Sequence, residues 1–226
     1  MDASVLSDDS DYDIVSPDNS IADLGRAAVT EPPPSQAAQE TFNTCRLTAA
    51  DIQNFVQSGL SCPASLTRKK RIYVDGTFDG FNVRHALQLR QAKLAFPSVW
   101  LIVGVFSAES CELFGTPAVL PEVDRCEVVR HCRWVDEVMP NPPCTLDVAW
   151  LHRHKIDYVA IEQGATVDPA YHSSRVKGYD ELKRKGSVIL TRRTTGVTVV
   201  APTPEVADEE DTPAASRVVV EDDAEE

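Results

Sequence analysis

A doubly wound α/β domain built on a parallel sheet of about five strands is the fold class this sequence predicts, and three observations predict it. Short apolar runs alternate with amphipathic segments along residues 46–201. One run, residues 99–105 (Val-Trp-Leu-Ile-Val-Gly-Val), is almost continuously apolar, as strands covered on both faces of a parallel sheet are. Helical stretches separate the five strand-like runs, which is the order that winds helices over both faces of one Rossmann-like sheet.

The elements follow in order. A first helix starts at Thr48, where Thr-Ala-Ala-Asp makes a capping-box start, and carries Ile52, Phe55 and Val56 on one face. Residues 71–75 (Arg-Ile-Tyr-Val-Asp) form a buried strand that ends at Gly76, and residues 83–96 form a helix with Ala86, Leu87, Leu89 and Ala92 toward the core. After the strand at 99–105, residues 121–134 are a helix with Pro121 at its start, where a missing N–H is harmless. A short strand at 136–139, a helix at 146–154 and a strand at 157–161 come next, and residues 179–185 and 187–191 repeat the helix-to-strand step. Ligands bind such sheets outside the carboxyl ends of the strands. Residues 75–85 therefore stand at the ligand edge, just before a helix N-terminus whose free N–H groups favour phosphate.

The flanks read differently. The chain has 226 residues and a formal charge of −13, unevenly spread. Residues 1–45 hold nine Asp/Glu and one Arg, residues 202–226 hold ten and one, and the middle keeps 20 Lys/Arg against 16 Asp/Glu. Both flanks are poor in large apolar side chains, so we expect acidic tails at 1–45 and 202–226 around one domain at 46–201. No 18-residue apolar run and no basic stretch before an apolar segment occurs, so the expectation is a soluble cytoplasmic or nuclear protein without a secretory signal. The six cysteines form no C-x-x-C pair and have no histidine at zinc-finger spacing, which points to separate reduced thiols and to no protein metal site. Nothing in the charge pattern suggests nucleic acid.

Several segments carry a more specific signal together. In order they are Tyr-Val-Asp-Gly-Thr-Phe-Asp-Gly-Phe-Asn-Val-Arg-His (73–85), Gln-Ala-Lys (91–93), Trp-Leu-Ile-Val-Gly-Val (100–105), Val-Arg-His-Cys-Arg-Trp-Val-Asp-Glu-Val (129–138), His-Lys-Ile-Asp-Tyr-Val-Ala (154–160) and Arg-Thr-Thr-Gly-Val (193–197). Over residues 70–200 the chain resembles the catalytic domain of the CTP:phosphocholine cytidylyltransferase family, a nucleotidyltransferase type of fold. The resemblance implies direct attack of a phosphocholine oxygen on the α-phosphorus of CTP with Mg²⁺ present, releasing pyrophosphate and leaving CDP-choline for phosphatidylcholine synthesis. It also implies a dimer, as a homodimer or with a related subunit. Catalysis of this kind rests on positioning and on donors that stabilise spreading negative charge.

By the same resemblance His85, Asn82 and Arg193 are the catalytic positions. Thr77, Phe78, His85, Glu162, Arg192, Arg193, Thr194 and Val197 would hold the nucleotide, and Glu162, Cys144 and Tyr179 the choline phosphate. The motif departs from the family at each part of the site. The signature His-x-Gly-His stands here as Asn82-Val83-Arg84-His85, so one imidazole is replaced by a neutral amide. Arg84 replaces a glycine and either obstructs the nucleotide or supplies a new cation. Gly115 falls where the family keeps a lysine, Cys144 where it keeps a tryptophan, and Ile161-Glu162-Gln163 where it keeps His-Asp-Asp. Val199, Val200 and Pro202 interrupt the family's terminal helix, and no amphipathic membrane-binding helix follows. Three readings follow: a cytidylyltransferase of reduced rate or with repositioned cations, a non-catalytic relative that binds CTP or pairs with an active subunit, or a decayed or truncated gene copy whose product folds poorly.

Overall fold

The computed structural model describes residues 31–60, 68–164 and 169–198. Five strands form one parallel sheet: β1 (Lys70–Gly76), β2 (Val99–Val105), β3 (Glu137–Pro140), β4 (Tyr158–Glu162) and β5 (Val188–Thr191), in the spatial order β3-β2-β1-β4-β5. The order reverses between β1 and β4. That reversal opens a crevice above the carboxyl ends of these two strands.

Among the described residues seven helices cross between or flank the strands: α1 (Gln36–Thr41), α2 (Ala49–Gly59), α3 (Val83–Leu94), α4 (Ala108–Leu113), α5 (Glu122–Arg130), α6 (Val148–Arg153) and α7 (Pro169–Arg184). One core lies under α2, α3 and α5 and contains Ile72, Val74, Leu89, Leu101, Val103, Val129 and Trp134. The other lies under α6 and α7 and contains Tyr73, Ile102, Leu146, Leu151, Val159 and Leu182. Alternate residues of β1 and β2 divide between the two, as the two-residue period of a strand requires. Close approach also fixes one glycine: a Cβ on Gly104 would lie 2.1 Å from the Tyr73 hydroxyl.

The capping box at α2 is formed as its sequence predicts. The Thr48 hydroxyl accepts the Asp51 N–H at 3.1 Å, and Asp51 accepts the Thr48 N–H at 2.9 Å. The largest departures from the sequence expectation are two helix boundaries and one helix that was not expected. Helix α5 ends at Arg130, because residues 131–134 leave it in a turn that drops Trp134 into the core. Helix α4, capped by Ser107, arises in a loop with no apolar periodicity. Helix α7 begins at Pro169, ten residues before the expected start.

The expected N-terminal tail at 1–45 contains a packed segment. Residues 31–45 include α1, and both Thr44 and Cys45 are buried. Glu31 forms an ion pair with buried Arg90 of α3 at 2.7 Å. The Thr44 and Thr194 hydroxyls meet at 2.7 Å, and Asn43 bonds the Arg193 carbonyl and the Thr195 N–H. Gly196, at φ +85, packs so closely that a Cβ would lie 1.9 Å from the Thr41 carbonyl oxygen. We call this contact between residues 41–44 and 193–196 the clasp. The expected tail at 202–226, with Val199, Val200 and Pro202, lies outside the described residues. No helix among the described residues is long and apolar enough to cross a membrane.

Candidate active site

A cleft of about 860 Å³ opens at the carboxyl edge of β1 and β4, where the strand order reverses. Asp75 and Gly76 come from the end of β1, Thr77, Phe78 and Asp79 from the loop that follows, and Arg84, His85 and Gln88 from the start of α3. Ile161 and Glu162 come from the end of β4, and Arg175, Tyr179 and Lys183 from α7.

The start of α3 organises one wall. Asn82 is its N-cap: the side-chain oxygen accepts the Arg84 N–H at 3.0 Å. His85 completes the box in reverse, its Nδ1 accepting the Asn82 N–H at 3.1 Å. That bond fixes the tautomer, because an accepting Nδ1 leaves Nε2 as the protonated nitrogen. Burial holds the His85 imidazole below its ordinary range, and the Arg84 cation pushes it further the same way. The site therefore holds a neutral imidazole that donates through Nε2. Asn82 is committed to capping and serves the site by positioning His85.

Arg84 has a partner within the cleft. Its guanidinium reaches across the cleft and pairs with Glu162 in a fork, Nε to Oε1 at 3.1 Å and a second, shorter contact to Oε2. The hydrogen bonds to Glu162 raise the Arg84 pKa, and the Glu162 side chain is only 6% exposed. A second pair lies beside it. Asp75 accepts from Arg175 at 2.6 Å and from the Tyr179 hydroxyl at 2.8 Å. Burial disfavours the Arg175 charge, but Asp75 and Tyr179 outweigh it and the guanidinium stays cationic. Burial and the Asp75 charge push the Tyr179 hydroxyl far above its ordinary range, so it remains a donor.

Five of the predicted site residues, Thr77, Phe78, His85, Glu162 and Tyr179, line this cleft. Cys144 lies behind it, its thiol toward Ser110 at 3.5 Å and its carbonyl accepting from Arg175 at 3.4 Å. Arg192, Arg193, Thr194 and Val197 are not among the lining residues. The Arg192 backbone is bonded both ways to Gln91, at 2.8 and 3.0 Å, and its guanidinium lies 4.6 Å from the Phe55 ring centroid. Arg193 and Thr194 are held by the clasp. Sequence reasoning missed Arg175 and gave Asp75 no role. Spacing held the clue for Arg175, which sits four residues before Tyr179 and so on the same helical face.

The loops are held from below by Arg125, which is fully buried. Its guanidinium donates to the carbonyls of Thr77 at 2.7 Å, Phe106 at 2.8 Å and Leu120 at 3.0 Å. The segments following β1 and β2 are thereby tied to the entry of α5.

The cytidylyltransferase-like family model matches residues 73–216, which span every cleft residue. The chain belongs to the cytidylyltransferase-like family. It is 45% identical over 131 residues to the choline-phosphate cytidylyltransferase of Saccharomyces cerevisiae, covering 58% of this chain and 30% of that protein. To choline-phosphate cytidylyltransferase 2 of Arabidopsis thaliana it is 39% identical over 145 residues, covering 64% and 46%. Identity to a probable ethanolamine-phosphate cytidylyltransferase of Schizosaccharomyces pombe is lower, 33% over 128 residues, covering 54% and 34%. The chain thus spans less than half the length of these relatives. Its identity to these two choline-phosphate cytidylyltransferases is thus higher than to this ethanolamine-phosphate one.

Proposed function

We propose that this domain binds CTP at the β1–α3 edge of the cleft and transfers a cytidylyl group slowly to a phosphomonoester acceptor. The observation that carries the reading is His85, a neutral imidazole with a fixed Nε2–H, set at a helix N-terminus inside the cleft. An acceptor phosphate oxygen would form the new bond to the α-phosphorus as the α–β bridging bond breaks, and pyrophosphate would leave. His85 would donate through Nε2 to charge developing on the phosphate oxygens, and Lys183 is a cation on the facing helix.

A slow rate follows from the motif. Asn82 donates no charge-assisted bond, and loss of one transition-state donor lowers a rate by roughly 10²- to 10³-fold. Arg84 does not compensate, because its charge is spent on Glu162. Asp75 and Glu162, the buried carboxylates of the cleft, are each paired with an arginine, which leaves neither open to a resident Mg²⁺. Mg²⁺ is proposed as an ion carried on the nucleotide's own phosphates.

Binding without transfer is the second reading, favoured by the same commitment of both arginines. The test is pyrophosphate release from CTP, Mg²⁺ and a panel of phosphomonoesters including phosphocholine and phosphoethanolamine, beside thermal stabilisation by CTP. Stabilisation with slow release supports transfer, and stabilisation without release selects the second reading. No stabilisation by CTP sinks both. Pairing with a second copy or a related subunit is proposed on the resemblance of residues 133–138 alone, and light scattering at several concentrations tests it.

A further inference from the structure

We propose that Arg175 fills, from within the chain, a subsite built for a quaternary ammonium group, and so closes this cleft to choline-type acceptors. The inference rests on the reading above only for the class of acceptor.

The Arg175 guanidinium carbon lies 4.8 Å from the ring centroid of Phe106, 5.7 Å from that of Phe114 and 4.9 Å from that of Tyr179. Three aromatic faces within about 6 Å of one charge form the cage that recognises weakly hydrated cations, quaternary ammonium groups above all. Asp75 supplies the counter-charge, its side chain 4% exposed. Arg175, Asp75 and Tyr179 line the cleft whereas Phe106 and Phe114 do not, so the cage is reached past the guanidinium.

A trimethylammonium head offers only charge and methyl groups to such a cage. The guanidinium offers charge and N–H donors as well, and uses them on Asp75 at 2.6 Å, the Tyr179 hydroxyl at 3.1 Å and the Cys144 carbonyl at 3.4 Å. It is also tethered, so a free cation competes against an occupant of millimolar effective concentration or higher. Asp79 and Asp180 also line the cleft, but Asp180 is exposed and Asp79 accepts the Val119 and Leu120 N–H groups at 2.7 and 3.0 Å. Glu162, the other buried carboxylate of the cleft, is already paired with Arg84. A choline head would therefore have to displace an arginine from one carboxylate or the other, leaving that arginine's charge to be accommodated elsewhere.

The test uses the full chain without nucleotide, titrated calorimetrically with choline and with phosphocholine. The wild-type protein should show no saturation at millimolar ligand, Arg175→Ser should bind both at least about tenfold more tightly, and Asp75→Asn in that background should cancel the gain. If Arg175→Ser proves too unstable to titrate, choline should raise its melting temperature while leaving the wild type unmoved. Sub-millimolar binding of phosphocholine by the wild type overturns the proposal, as does a variant that gains neither affinity nor thermal protection. Failure of CTP to bind would sink the proposed function and leave these titrations readable.

Discussion

The fork between Arg84 and Glu162 can be weighed by a double-mutant cycle using Arg84→Ala and Glu162→Gln. Removing Arg84 strands a carboxylate that is 6% exposed. Breaking a fully buried pair from one side costs about 3–5 kcal/mol. Arg84 itself is 34% exposed, so water screens the pair and the expected loss falls to about 1–3 kcal/mol. The backbone adds little, since Ala suits a helix as well as Arg does and the Asn82 cap bonds the retained N–H of residue 84. For a chain of this size, Arg84→Ala should lower the melting temperature by about 2–10 °C. Glu162→Gln should cost about 1 kcal/mol, because the guanidinium left behind is partly solvated. The double variant should then be more stable than the sum of the single losses by about 1–2 kcal/mol. Urea denaturation followed by circular dichroism measures all four corners. Additivity to within about 0.5 kcal/mol would refute the pairing as an energetic unit.

Other perturbations have equally definite outcomes. Folding holds the His85 imidazole below its ordinary 6.5, so the unfolded chain binds that proton more readily. The corresponding stability is complete above pH 6.5 and is lost as pH falls toward the folded value; His85→Gln should flatten the melting profile between about pH 7.5 and 5.5, and parallel profiles would count against a buried neutral imidazole. Arg125→Met removes donors from three carbonyls beneath the cleft and should destabilise by about 3 kcal/mol or more, read by urea denaturation, whereas a loss under about 1 kcal/mol would show that water replaces those bonds. Gly196→Ala should open the clasp, because its Cβ would stand 1.9 Å from the Thr41 carbonyl oxygen at a φ of +85; the readout is faster proteolysis of residues 31–45, and unchanged cleavage would argue that the segment is held elsewhere.

What sequence revealed and what it hid divide by the range of the interactions. The strands were legible because apolar runs buried on two faces leave a local record, and the start of α2 because Thr48 and Asp51 are three residues apart. The start of α7 was obscured by Ser173, Ser174 and Gly178, weak helix formers within it, although Pro169 is a good first residue. Gly178 is explained by packing, since a Cβ there would meet the Leu146 carbonyl oxygen at 2.6 Å. Residues 31–45 looked like tail by composition, and their order comes from partners about 150 residues away. At the site, the β1–α3 turn was readable as a motif. The pairings of Arg84 with Glu162 and Arg175 with Asp75 join residues 78 and 100 apart, and no local pattern records them.

The clasp also sets how the domain meets mechanical load. Residues 44 and 194 touch through their hydroxyls, so tension applied through the two flanks would meet the Glu31–Arg90 pair and this corner before it reached the sheet. The ladders of the sheet, joined β1 to β2 over seven residue pairs, are loaded only once that corner has given way.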